Sequence, residues 1–172
     1  MREKLMSTGS LREQRFDGDA ESGQFGVHFM IDGYGGAASR LADRSLINHL
    51  LRDDLPDRLG MHKIADPVVV EVGPQNRKDP GGLIGFALMA ESHISLHTFP
   101  LRGYISADIY TCQNRLDVET IVGCVVDEFA LKTVERHKIN RGLSYPGRNI
   151  YPDLVCCASE HDSNLSEAIQ RR

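Results

Sequence analysis

Between Leu83 and Thr111, three strand-like stretches follow one another with links that read as hairpins. Leu83–Ala90 is a continuous apolar run, and Ile94–Phe99 alternates in part until Pro100 stops it. Gly103 then marks a turn before Tyr104–Thr111. Strands joined this closely pair antiparallel, since a parallel return needs a long crossover. A meander of this kind buries one face only if other elements cover it. Any fold for this chain must be built around that block.

The flanking sequence supplies the rest. Phe25–Ile31 predicts a strand, and Gly33–Gly36 a turn whose glycine spacing is not that of a dinucleotide-binding loop. Asp43 is placed to cap a helix carrying Leu46, Ile47, Leu50 and Leu51, which Pro56 ends or kinks. Val68–Val72 is a β-branched strand, and Gly73–Gly82 a polar loop rich in proline and glycine. Asn114 is a candidate cap for a helix with Val118, Ile121, Val122, Val125 and Phe129 on one face. Thr133–Ile139 reads as a further strand, and Gly142–Pro152 as a turn-rich loop. The expected fold is α+β, a two-layer sandwich of a mostly antiparallel sheet with helices packed on one face. Residues 24–152 form the domain. Residues 1–23 are expected to be a disordered arm, and residues 153–172 are a weakly patterned tail.

Composition limits the function classes. A net charge of −4 over 172 residues provides no electrostatic footprint for nucleic acid or an anionic membrane. No apolar run approaches the roughly 20 residues that span a bilayer, and Met1–Glu21 has no apolar core of a secretory signal. Cys112, Cys124, Cys156 and Cys157 match no zinc spacing, so a reduced, cytoplasmic protein is expected.

Chemistry concentrates in Ala90-Glu91-Ser92-His93-Ile94-Ser95-Leu96-His97-Thr98-Phe99-Pro100. Polar and ionisable groups crowd here between strands that otherwise read as buried, and each one left unsatisfied costs about 1–3 kcal/mol. Three readings of these residues compete. His93 and His97 share a strand face and could contribute half of a metal site. Ser92 or Ser95 could serve a Ser-His hydrolase, although no nucleophile elbow is present. The two histidines could also simply be satisfied groups in a half-buried strand.

The segment resembles the processing site of the prokaryotic S-adenosylmethionine decarboxylases, whose motif runs Ser-Glu-Ser-His-x-x-x-His-Thr-aromatic-Pro. Glu91, Ser92, His93, His97, Thr98, Phe99 and Pro100 match it, and Asp108-Ile109-Tyr110-Thr111-Cys112 resembles a second family motif. The resemblance implies self-cleavage between Glu91 and Ser92, with Ser92 becoming a covalent pyruvoyl group, the only cofactor, and no metal. It implies that His97 acts as base in the elimination step. It also implies that the pyruvoyl carbonyl forms a Schiff base with the substrate amine, and that Cys112 reprotonates the substrate carbon. A homodimer of processed protomers follows from the same resemblance, with S-adenosylmethionine decarboxylated for polyamine synthesis.

One point of geometry stands against a simple reading. Ser92 and His97 have opposite parity, so an unbroken strand puts them on opposite faces unless a bend or another strand intervenes. The sequence also departs from the family pattern. Ala90 replaces a serine, Ile84 stands where relatives often carry a serine used in processing or catalysis, and Leu101-Arg102 follow Pro100 where an acidic residue is usual. Phe99 could stack on a purine or a sulfonium. Arg102 would suit a substrate carboxylate or repel a cation, and Glu71 or Asp108 could accept from ribose hydroxyls. Two alternatives therefore stay open: a related pyruvoyl decarboxylase of a basic amino acid such as arginine or ornithine, or an uncleaved homologue that regulates a partner.

Overall fold

The computed structural model describes residues 24–113 and 115–146. The proposed arm, most of the C-terminal segment, Asn114, Cys156 and Cys157 lie outside the described residues. Six strands, β1 (Gly26–Tyr34), β2 (Val68–Val72), β3 (Gly82–Met89), β4 (Ser92–Phe99), β5 (Tyr104–Thr111) and β6 (Thr133–Arg141), form one sheet in the order β2-β3-β4-β5-β1-β6. Every neighbouring pair is antiparallel. The α+β architecture expected from the sequence is the one observed.

Helices cover one face. They are α1 (Ala38–Leu41), α2 (Arg44–His49), a π-helical turn over Leu50–Asp54, α3 (Leu55–Leu59) and α4 (Val118–Phe129). Leu41, Ile47, Leu51, Leu55, Ile121, Val125 and Phe129 are fully buried against Ile31, Ile94, Leu96, Ile105 and Ile109 of the sheet. Each such side chain contributes about 1.5–3 kcal/mol of transfer free energy. Gly85 permits the close approach, because a Cβ there would lie 2.5 Å from a Leu51 methyl.

Local chemistry explains the ends. Asp43 accepts from the Ser45 and Leu46 N–H groups, as its position predicted. Pro56 does not end the helix. It sits near the start of α3, after the π-turn. Without an N–H it cannot satisfy the Arg52 carbonyl in the usual helical way, and Lys63 Nζ donates to that oxygen at 3.0 Å. The helix stops instead at Gly60, φ +60°. Asp117 caps α4 by accepting from Thr120 N–H.

The apolar run of β3 is buried on one side only. Its open-face residues Phe86 and Leu88 are 40% and 45% exposed, beside Val68 and Val70 of β2. No helix among the described residues is long and apolar enough to cross a membrane.

Candidate active site

The β3–β4 hairpin closes through Ala90 and Glu91, with Met89 paired to Ser92 and Ser92 paired to Thr111 on the other side. The Glu91–Ser92 bond thus lies where a two-residue turn enters a central strand. Four hydrogen bonds hold the turn. Ala90 N–H donates to the His62 carbonyl at 2.8 Å. Cys112 N–H donates to the Glu91 carbonyl at 3.1 Å. The Glu91 carboxylate accepts from His62 N–H at 3.0 Å and from His62 Nδ1 at 2.5 Å. Burial alone would raise the Glu91 pKa, but the His62 donors outweigh it and hold the carboxyl below its ordinary range. The Ser92 hydroxyl faces the helix layer and lies 3.9 Å from Met61 Sδ.

A second feature occupies the open face at the far end of the sheet. His97, Phe99, Tyr104 and Tyr34 form a run of rings with successive centroids 4.0, 5.5 and 5.4 Å apart. They line a cleft of about 600 Å³ together with Asn76, Lys78, Asp79 and Arg102. His97 Nε2 is buried with no hydrogen-bond partner. Burial lowers the His97 pKa, and the Asp79 charge pushes partly back. Tyr104 OH donates to Asp32, and burial together with that carboxylate drives the phenol pKa well above its ordinary value. Asp79 Oδ1 accepts from Gly81 N–H at 2.9 Å, which fixes its carboxylate on the loop.

The structure gathers some of the sequence-derived residues and separates others. Glu91, Ser92 and Cys112 come together at the turn. Phe99 and Arg102 both line the cleft, but Arg102 is exposed at its rim and donates to the Arg77 carbonyl at 3.2 Å. Glu71 and Asp108 do not line the cleft, and Asp108 is engaged by His28 at 3.2 Å. The carboxylate the cleft does hold is Asp79. It went unrecognised because it sits in a loop that pattern alone reads as a connection.

Ser92 and His97 are not brought together. β4 runs unbroken from one to the other, so they lie on opposite faces and about 17 Å apart along the strand. The bend that could have joined them is absent. That separation leaves a Ser-His hydrolase built on Ser92 and His97 within one chain without its central contact. His93 and His97 form no three-ligand metal cluster among the described residues, and His93 stacks against Phe86 and Tyr110. Asp32, Glu135 and His137 do bring ligand atoms within 4.8 Å of one another. Tyr104 already occupies Asp32, and Tyr34 donates to Glu135 at 3.1 Å.

The family model for S-adenosylmethionine decarboxylase matches residues 27–142. The chain belongs to this family. Among its relatives, the S-adenosylmethionine decarboxylase proenzyme of Pyrobaculum arsenaticum is 29% identical over 128 residues, covering 74% of this chain and 91% of the relative. The Pyrococcus furiosus proenzyme is 27% identical over 118 residues, covering 69% of this chain and 79% of the relative. The crystal structure of adenosylmethionine decarboxylase from Aquifex aeolicus superposes with a TM-score of 0.60 at 25% identity, over 73% of this chain and 98% of that one. Within this S-adenosylmethionine decarboxylase frame, the departure at Ile84 acquires a physical meaning. Ile84 pairs directly with His97 across β3 and β4, and its side chain offers nothing to the unpartnered Nε2.

Proposed function

We propose that this chain cuts itself between Glu91 and Ser92 and, as a pyruvoyl enzyme, decarboxylates S-adenosylmethionine to supply polyamine (spermidine) synthesis in the cytoplasm. The observation that carries the cleavage is the Cys112 N–H donating to the Glu91 carbonyl, next to the Ser92 hydroxyl. A donor already aimed at that oxygen would stabilise the charge that develops there during attack.

Ser92 Oγ bonds to the Glu91 carbonyl carbon, and the C–N bond to the Ser92 nitrogen breaks, leaving an ester and a free amine. Loss of the residue-92 Cα proton then breaks the Cβ–Oγ bond, releasing Glu91 as a new carboxylate and leaving dehydroalanine. Water displaces its nitrogen as ammonia, and position 92 becomes the pyruvoyl group. That group supplies a carbonyl that takes up the substrate amine and draws electrons as carbon dioxide leaves. The Cys112 thiol, next to the same turn, returns a proton to the substrate carbon.

His97 is the base for the elimination in this reading, and its separation from Ser92 within one chain supports its coming from a second copy. We therefore propose a homodimer joined through the open sheet faces. Val68, Val70, Phe86 and Leu88 are exposed there, and a two-fold pairing buries the same patch on both copies. The aromatic run supports an adenosyl substrate, since ring faces suit both a purine and a sulfonium. Arg102 is tied to the loop backbone at the rim and does not favour arginine or ornithine.

Intact mass of the purified protein after prolonged incubation tests this reading. The expected result is two pieces, residues 1–91 and a pyruvoyl-capped 92–172, with Ser92→Ala remaining whole. A wild-type chain that stays intact and carries no carbonyl-reactive group would leave the uncleaved, regulatory homologue as the reading. Carbon dioxide release from arginine or ornithine, with none from S-adenosylmethionine, would overturn the substrate.

A further inference from the structure

We propose that His62 is a positioning residue for self-cleavage, acting as a clip that orients the Glu91–Ser92 bond through Glu91. The inference rests on the cleavage reading above and adds a residue to it.

The segment after α3 braces the hairpin from outside the sheet. Met61 N–H returns to the Pro56 carbonyl at 2.9 Å, which fixes the chain as it leaves Gly60. Ile64 N–H donates to the Leu88 carbonyl at 3.2 Å, and Lys63 forms a bridge with Met89. Gln113 Nε2 donates to the Gly60 carbonyl at 3.0 Å, so the same segment also holds the chain just beyond Cys112. His62 sits at the centre of this brace. Its carbonyl takes Ala90 N–H, and its backbone N–H and Nδ1 take the two oxygens of the Glu91 carboxylate.

Glu91 is therefore held from two sides. His62 grips its side chain, and Cys112 N–H grips its carbonyl oxygen. Together they set the plane of the carbonyl that the Ser92 hydroxyl must approach. Attack within a peptide bond depends steeply on such alignment, and a displacement of about 1 Å can cost about 100-fold in rate. The His62 side chain is 81% exposed and adds nothing to the hydrophobic core, so its grip on Glu91 can be removed with the fold intact.

The test is a double-mutant cycle on the first-order cleavage rate, followed by mass from freshly refolded chain. His62→Ala is expected to slow cleavage about tenfold, and His62→Gln, which keeps a side-chain donor, to restore most of that loss. In a Glu91→Ala background the His62→Ala change should cost less than about twofold, because the carboxylate it grips is already gone. A wild-type rate for His62→Ala overturns the proposal, as does the same tenfold loss in both backgrounds. A wild-type chain that never cleaves overturns the function itself. Cleavage that ignores His62 overturns only the clip.

Discussion

At His97, two opposing influences set where the proton resides. Burial strips water from the ring and leaves Nε2 without a partner, which disfavours the charged form, while the Asp79 carboxylate favours it. Burial wins, so the imidazole stays neutral below the ordinary histidine value of about 6.5 and remains able to accept a proton there. The elimination step should accordingly keep its plateau into mildly acidic solution. Asp79→Asn removes the charge that raises the His97 pKa, and the midpoint of the cleavage pH profile should move further to the acid side. Cleavage half-times across pH 4.5 to 8 read this directly. A midpoint that moves toward alkaline pH in the variant would contradict the assigned balance.

At the scale of elements, α4 carries a local conflict. Ala130 closes the helix in the left-handed region, φ +51°, where an L side chain is strained. Its N–H still returns to the Val126 carbonyl, so the capping geometry is satisfied at the expense of the residue. Ala130→Gly should relieve this and stabilise the fold by about 0.5–1 kcal/mol, after allowing for the greater freedom of glycine in the unfolded chain. A rise of about 2–3 °C in melting temperature is the expected reading. Measuring it on the Ser92→Ala chain keeps cleavage from complicating the transition. An unchanged or lower melting temperature would mean that the turn does not cost what its geometry implies.

Two properties belong to the whole molecule. The first is a prediction from the proposed homodimer, in which the copies would divide the labour. If His97 of one copy serves Ser92 of the other, a His97→Ala chain should stall alone as an ester that hydroxylamine cleaves. Mixed with Ser92→Ala chains, it should be processed, because its Ser92 then meets an intact His97. Failure of the mixture to cleave would place both groups in one chain. The second is acid stability. His93 and His97 both have folded pKa values below their ordinary one, with burial the leading cause. The unfolded chain therefore binds more protons as pH falls through about 6.5. Stability is complete above that point and declines below it, toward the lower folded values. Urea unfolding of Ser92→Ala should show a lower midpoint at pH 5.5 than at pH 7.5, and His97→Phe should narrow the gap. The lowered Glu91 carboxyl adds a further loss only in stronger acid, below its ordinary range.

The sequence by itself determined the strands of the meander, the Asp43 cap and the family motif, because periodicity, side-chain capping and covalent chemistry are local properties. β2 and β5 have the limits that their residues predicted. It also set the parity of Ser92 and His97, since alternation along a strand needs no knowledge of what lies beside it. Only the tertiary structure decided what fills the two faces. Leu83–Ala90 reads as a fully buried run, yet helices cover one side and leave Phe86 and Leu88 open on the other. Pro56 reads as an end or a kink of the helix, yet the chain continues to Gly60, and Lys63, seven residues on, takes the carbonyl that the proline leaves unpaired. His62 lies 29 residues from Glu91, and Asp79 reaches the cleft from a loop that pattern marks only as a connection. Contacts of that range arise from how strands register and where a chain turns back. They are set by packing and hydrogen bonding across the whole sheet, which no single stretch of residues encodes.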